Sequence, residues 1–300
     1  MLGFRGPFFT ATGSAAVPVS DSTTMSDWFL QRGYGVRFEW GPVGARQLAP
    51  DVACLVVIDV LSFTTSVSVA VEAGTQVFPY AWRDETASAF ARENAAELAV
   101  GRRAATAVAP WSLSPAALRR APFTPRLVLP SPNGSAISAA ACGSTVVAGC
   151  LRNAAAVGQW LARNGYGSPE RPLTVIAAGE RWPDGSLRPA LEDALGAGAI
   201  IAELEAHGVG PLSPEASAAQ SAYAHTPDVA AAVVACSSGI ELAEGGFADD
   251  VAVAVELNAS AIVPVLTDGA FTSPSVPGHS TGTPVASGIP AADVGQREQQ

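Results

Sequence analysis

Acids delivered to the ends of apolar strands are the residues here whose type and spacing suit chemistry. In "VVIDVLSFTTSVSVAVEAG", Val56 to Gly74, an uninterrupted apolar run carries Asp59 into the hydroxyls of Ser62, Thr64, Thr65 and Ser66. Burying an acid costs on the order of several kcal/mol unless a partner offsets it. Mg²⁺ is one such partner, because a hard cation takes carboxylate oxygen, while hydroxyls and the free N–H groups of a following helix suit phosphate. The alternative is an Asp that only caps a turn, with Thr64 or Thr65 as N-cap.

Three more junctions carry polar residues. In "LVLPSPNGSAIS" a strand ends at Leu129, and Asn133, Gly134 and Ser135 open a helix, where glycine lets the backbone approach a ligand closely. The same Pro-Asn-Gly run is also an ordinary turn signal. "VVAGCLRNAAAV" presents Cys150, Arg152 and Asn153. Arg152 suits bidentate recognition of an anion, and Asn153 is a natural N-cap. Cys150 reads as a small buried hydrophobe, since no cysteine in the chain has the arginine six positions later that a thiol phosphatase needs. "VIAAGERWPDGSLRPALEDALGAG" places Glu180, Arg181 and Asp184 in a loop and Glu192 and Asp193 in the first helical turn. Those two acids either relieve the helix dipole or turn inward to share a metal with Asp59.

Composition removes several other chemistries. All 17 basic residues are arginine, so Schiff-base chemistry, lysine general bases and the P-loop lysine are excluded. A formal charge of −10 and a pI near 4.7 argue against nucleic acid as a partner. The three histidines, His207, His225 and His279, lack metal-binding spacing, which argues against zinc hydrolysis and Ser-His-Asp catalysis. Four cysteines without CxxC spacing, no 18-residue apolar run and no signal-peptide pattern lead us to expect a reduced, cytoplasmic protein without a membrane span.

The elements that must position these residues follow from periodicity. Continuous apolar runs predict strands at 34–40, 52–59, 75–80, 126–129, 145–149, 173–178, 251–254 and 262–266. Helices are expected at 64–73, 84–100, 134–142, 153–164, 189–206, 229–235 and 239–245. Strands apolar on both faces imply a three-layer α/β/α domain with a largely parallel or mixed sheet. In such sheets ligands bind beyond the strand carboxyl ends. The glycines of "GAGAII", 196–201, fall inside a helix and read as packing residues. Residues 27–270 are expected to form the domain, in one or two lobes, between disordered segments at 1–26 and 271–300.

These motifs resemble the 2-phosphosulfolactate phosphatase family, the ComB-like enzymes. "EWG", "VVIDVLSFTTSV", "SPNGSAI", "GCLRNAAAV", "VIAAGERWPDGSLRPALEDALGAGAII", "SSGIELAEGGFADDVAVAVELN" and "IVPVL" run in order from about residue 34 to 268. The resemblance implies an α/β phosphatase that needs Mg²⁺ and acts on a small anionic 2-hydroxy-acid phosphate such as 2-phospho-3-sulfolactate. Carried over by position, Asp59 and Glu192 would be metal or catalytic groups, with Asp193 as the alternative acid. Asn133, Gly134 and Ser135 would form the phosphate-side loop, and Arg152 and Asn153 would face the substrate. Ser62, Thr64, Thr65 and Arg181 complete the expected binding set, with Arg152 counted among the catalytic groups. The chain departs from the family pattern at Ser62 and Phe63, where Arg-Ala is common, at Ala136, where Arg is common, and at Ile240. Those departures motivate the competing expectation of an inactive relative that binds an anion or metabolite. A metal-free hydrolase is disfavoured by the poor supply of His and Lys, and homo-oligomerisation is left open.

Overall fold

The computed structural model describes residues 27–81, 84–140 and 143–274. The expectations for 1–26, for the tail beyond Pro274, for Cys142 and for the last two residues of helix 134–142 lie outside those residues. The strands are β1 (Val36–Trp40), β2 (Cys54–Ile58), β3 (Gln76–Tyr80), β4 (Glu97–Leu98), β5 (Arg126–Pro130), β6 (Thr145–Gly149), β7 (Leu173–Ala177), β8 (Glu180–Arg181), β9 (Leu187–Arg188), β10 (Val265–Thr267) and β11 (Ala270–Thr272). The helices are α1 (Gly41–Leu48), α2 (Phe63–Glu72), α3 (Glu85–Glu93), α4 (Pro115–Arg120), α5 (Gly134–Ala140), α6 (Ala154–Arg163), α7 (Leu191–Ala206), α8 (Pro214–Ala224), α9 (Val229–Ala235), α10 (Ser237–Glu244) and α11 (Ala248–Ala254).

Nine strands form one mixed sheet in the order β1-β7-β2-β6-β10-β11-β3-β5-β4, and β8 and β9 form a separate ribbon. β1, β7, β2 and β6 are parallel, as are β3, β5 and β4. The antiparallel β10–β11 hairpin joins the two blocks, pairing Val265 with Val147 of β6 and Phe271 with Val77 of β3.

Successive residues of β2 face opposite cores, which is why the run is continuously apolar. Cys54, Val56 and Ile58 pack with Leu161, Leu195 and Ile200 of α6 and α7, together with Ala216 and Val233 of α8 and α9. Leu55 and Val57 pack on the other face with Ala45, Phe63, Val67 and Ile137 of α1, α2 and α5. The three-layer α/β/α expectation holds. Gly198 supports one seam of it, because a Cβ there would sit 2.2 Å from the Ala219 carbonyl oxygen of α8.

The element boundaries differ in several places, among them the strand expected at 262–266, which is β10 at Val265–Thr267, and the unexpected β8 and β9. Residues 251–254, expected as a strand, belong to α11, where Asp249 and Asp250 occupy the first turn and Val251, Val253 and Ala254 are buried. The helix expected over 84–100 begins as predicted, with Asp84 capping through the Thr86 N–H, but stops at Glu93; Ala95 takes a positive φ of 47° and β4 follows. α1, α4 and α8 were not anticipated. β11 crosses the expected start of the tail at 271, and Phe271 there is fully buried.

Candidate active site

Three strand-to-helix junctions converge on one buried group of acids. Asp59 follows β2 and is 7% exposed. Its Oδ1 accepts the Phe63 N–H at 3.0 Å, the first residue of α2, and its Oδ2 accepts the Gly134 N–H at 2.9 Å, the first residue of α5. Gly134 is required for that approach, because a Cβ would stand 2.3 Å from the Phe63 ring and 2.9 Å from Asp59 Oδ2. The helix expected over 64–73 therefore starts where a carboxylate meets its N-terminal dipole, a geometry that supports its β-branched sequence.

Glu192 and Asp193 both turn inward from the first turn of α7, at 2% and 4% exposure. Asp193 acts as a structural tie. Its Oδ1 accepts the Val60 N–H at 2.7 Å and its Oδ2 accepts the Gly179 N–H at 2.8 Å, joining the ends of β2 and β7 to α7. Glu192 leaves one carboxylate oxygen without a protein partner among the described residues, while Cys236 Sγ donates to Oε2 at 3.2 Å. Glu180, on β8, stands beside Asn133, whose Nδ2 donates to it at 3.5 Å.

Electrostatics mark the group as unbalanced. Burial pushes the Asp59 carboxyl up, the Phe63 and Gly134 N–H groups and Arg102 pull it down, and Glu192 pushes it up again. Asp193 lies well above the carboxylate range, through burial and then the charges of Glu192 and Asp59. Glu180 is pushed up to about 7 by burial and by the charges of Asp59 and Glu192, against a downward pull from Arg188. Arg188 faces Glu180 across the β8–β9 ribbon and its Nη2 reaches Ser238 Oγ at 3.4 Å. Beside these acids lies a cleft of about 340 Å³ lined by Trp40, Arg46, Asn133, Glu180, Arg181 and Leu187.

The structure does not bring all of the sequence candidates together. The Thr64 hydroxyl bridges the Asp59 backbone, accepting from its N–H at 3.0 Å and donating to its carbonyl at 2.8 Å, and Thr65 donates to the Val60 carbonyl. Both hydroxyls shape the β2–α2 turn. Ser135 donates to the Leu129 carbonyl at 3.3 Å. Arg152, expected to face the substrate, is instead held by Ser68, Glu72 and Glu256, at 3.0, 3.0 and 3.2 Å. Asn153 uses its side chain on the Cys150 N–H and on the Ala148 and Ile262 carbonyls, which locks the loop after β6. Arg181 is exposed and lines the cleft, with Nη1 on the Gly185 carbonyl. Among the described residues no three His, Cys, Asp or Glu side chains form a metal-holding group. Of the acids expected at a metal, Asp59 with Glu192 or Asp193, Asp193 has both carboxylate oxygens turned to backbone N–H groups.

Sequence reasoning missed two members of the site. Glu180 was visible as a loop acid but carried no signal that it would be buried beside Asp59. Arg102 came from a segment with no motif at all. Both depend on contacts between residues far apart in the chain.

A family model described as 2-phosphosulpholactate phosphatase matches residues 44–269, which include Asp59, Asn133, Gly134, Glu180, Glu192 and Asp193 but not Trp40 of the cleft wall. The chain belongs to that family. Its enzyme class is accordingly that of a phosphoric monoester hydrolase, with a small phosphorylated substrate. No curated protein matches the chain. No helix among the described residues is long and apolar enough to cross a membrane.

Proposed function

We propose that this phosphatase is Mg²⁺-dependent and hydrolyses a small anionic 2-hydroxy-acid phosphate of the 2-phospho-3-sulfolactate type. The observation that carries the reading is the excess of buried acid at the β2–α2 junction, where burial and the charge of Glu192 push the Asp59 carboxyl up, and burial with the charges of Asp59 and Glu192 pushes Glu180 up. A hard divalent cation fits this donor set in charge and in ligand chemistry. Mg²⁺ is commonly held by one or two carboxylates with water and substrate phosphate completing the shell, so a full protein cage is not needed. Asp59 and Glu192 would hold it, and when bound it supplies Lewis-acid polarisation of the phosphoryl oxygens.

The chain's own residues do the rest. Asp193 fixes the β2, β7 and α7 ends against one another, so the two ligand carboxylates keep their separation. The first N–H groups of α2 and α5 orient Asp59. Glu180 lines the cleft beside Asp59 and Glu192, where a carboxyl suits proton exchange with the leaving alkoxide oxygen. Arg46 and Arg181, at the cleft wall, suit the anionic end of a short substrate. A reducing, cytoplasmic setting suits Cys54, Cys150 and Cys236, which are buried free thiols.

Phosphate release from a panel of 2-hydroxy-acid phosphates, including phosphosulfolactate and phospholactate, tests the proposal. Turnover that needs Mg²⁺ and stops with EDTA supports it. EDTA-insensitive turnover would remove the metal from the scheme, and folded protein without turnover on any member would favour an anion-binding relative.

A further inference from the structure

Arg102 is the cation whose charge acts on Asp59, and it is held in place unusually firmly for a residue in a single 3₁₀ turn, Arg102–Ala104. Its Nε donates to Asp250 Oδ2 at 3.0 Å, its Nη2 donates to Ser62 Oγ, and its Cζ lies 5.8 Å from the centre of the Phe247 ring. Asp250 is itself 1% exposed and fixed from behind, accepting the Ser114 hydroxyl and the Ala116 N–H. Ser62 is the residue just before α2, three positions after Asp59.

A purely structural ion pair would explain only part of this. Of the five N–H donors of a guanidinium, Asp250 takes the one on Nε and Ser62 takes one on Nη2. Nη1 has no protein partner among the described residues. The buried guanidinium of Arg152, also near α2, is by contrast closed on all three nitrogens, since it bonds Glu256, Ser68 and Glu72. Arg102 is thus rigid, partly open and beside the acids, and the chain has no lysine to supply the charge instead. A phosphoryl group held in front of Asp59 needs such a donor, because two or more negative charges face a carboxylate cluster there.

We infer that Arg102 is the phosphate-binding guanidinium of this site and that Asp250, backed by Ser114, is the residue that positions it. The inference rests on the phosphatase reading above. The free Nη edge donates to the phosphoryl oxygens of substrate and product alike, so it is read out by inorganic phosphate without any turnover.

The test is calorimetric titration of the full-length protein with inorganic phosphate in the presence of Mg²⁺, beside kcat/KM on the best monoester of the panel. Arg102→Gln is expected to weaken phosphate binding by about 10- to 100-fold, the size of one charge-assisted hydrogen-bonded contact, and to lower kcat/KM at least as much. Arg102→Lys should recover part of both. Phenylglyoxal footprinting of the wild type needs no variant to fold: phosphate should protect Arg102 from modification. Wild-type turnover with unchanged phosphate binding in Arg102→Gln, or equal modification of Arg102 with and without phosphate, overturns the inference and leaves the phosphatase reading intact. Phosphate binding through Arg102 without hydrolysis of any monoester supports the site and overturns the catalytic reading. A wild type that binds no phosphate overturns both.

Discussion

The two ends of α2 hold clusters of charge of opposite character. Around the second half of the helix, Arg152 and Arg119 meet Glu72 and Glu256, with Ser68 completing the group, so two cations answer two acids. At the first turn, Asp59, Glu180, Glu192 and Asp193 crowd together, and the nearest cations are Arg102, already paired with Asp250, and Arg188. The balanced cluster is complete without a ligand. The unbalanced one is stable only as far as protons, N–H groups or a cation offset its charge. Net charge per cluster, rather than burial or motif, separates the arginine paired within the fold from the acids that lack a matching cation.

Substitutions at the two ends should therefore fail in different ways. Asp59→Asn is expected to lower kcat/KM by about 10³-fold on the best monoester, the scale of losing a preorganised charged group, while circular dichroism shows a folded protein. Ordinary turnover in that variant would remove Asp59 from the chemistry. At the other end, Arg152→Met leaves Glu72 and Glu256 without their buried partner and should cost about 2–3 kcal/mol in chemical denaturation, discounted because both acids are partly exposed. Its turnover per folded molecule should stay near wild type. Normal stability with lost turnover would instead move the anion site toward Arg152.

A smaller effect is expected in the pH dependence of stability. Glu180 has its carboxyl raised from an ordinary 4.5 to about 7, so the folded state holds a proton that the unfolded state has released across that interval. Stability from this group is full below about pH 4.5 and is lost as pH rises through about 7, a fall on the order of 3 kcal/mol at most. In metal-free buffer the thermal midpoint should decline between those pH values, less steeply in Glu180→Gln. A midpoint that rises over the same range would show that the acids are not crowded as described.

Much of this was legible in the sequence where local pattern and tertiary role agree. β2, β6 and β7 are apolar on both faces because both faces are covered, and the polar residues after β2 and β5 stand where helix N-termini begin. The site's acids Asp59 and Glu192 were visible for that reason. Elsewhere the local pattern was ambiguous or went unused. "VAVA" in α11 alternates small and branched residues in a way that fits strand or helix, and only the acids at its first turn favour the helix. The β10–β11 turn carries an Asp268-Gly269 pair with φ of 51° and 82°, the signature of a two-residue hairpin, and that signal was present in the sequence. Ser213 before Pro214 likewise marks the start of α8, and its hydroxyl caps the Ala216 N–H. Arg152 was misplaced for a different reason: an arginine at a strand end suits an anion from outside or from within, and only the positions of Glu72 and Glu256, 80 and 104 residues away, decide which.

The most direct measurement of the central claim is a calorimetric titration of Mg²⁺ into metal-free protein at pH 7.5, for the wild type, Asp59→Asn and Arg152→Met. One saturable site in the wild type and in Arg152→Met, absent from Asp59→Asn, is the predicted result. Binding that survives in Asp59→Asn, or no binding in the wild type with or without phosphate, would contradict the assignment of the unbalanced acids as the cation site.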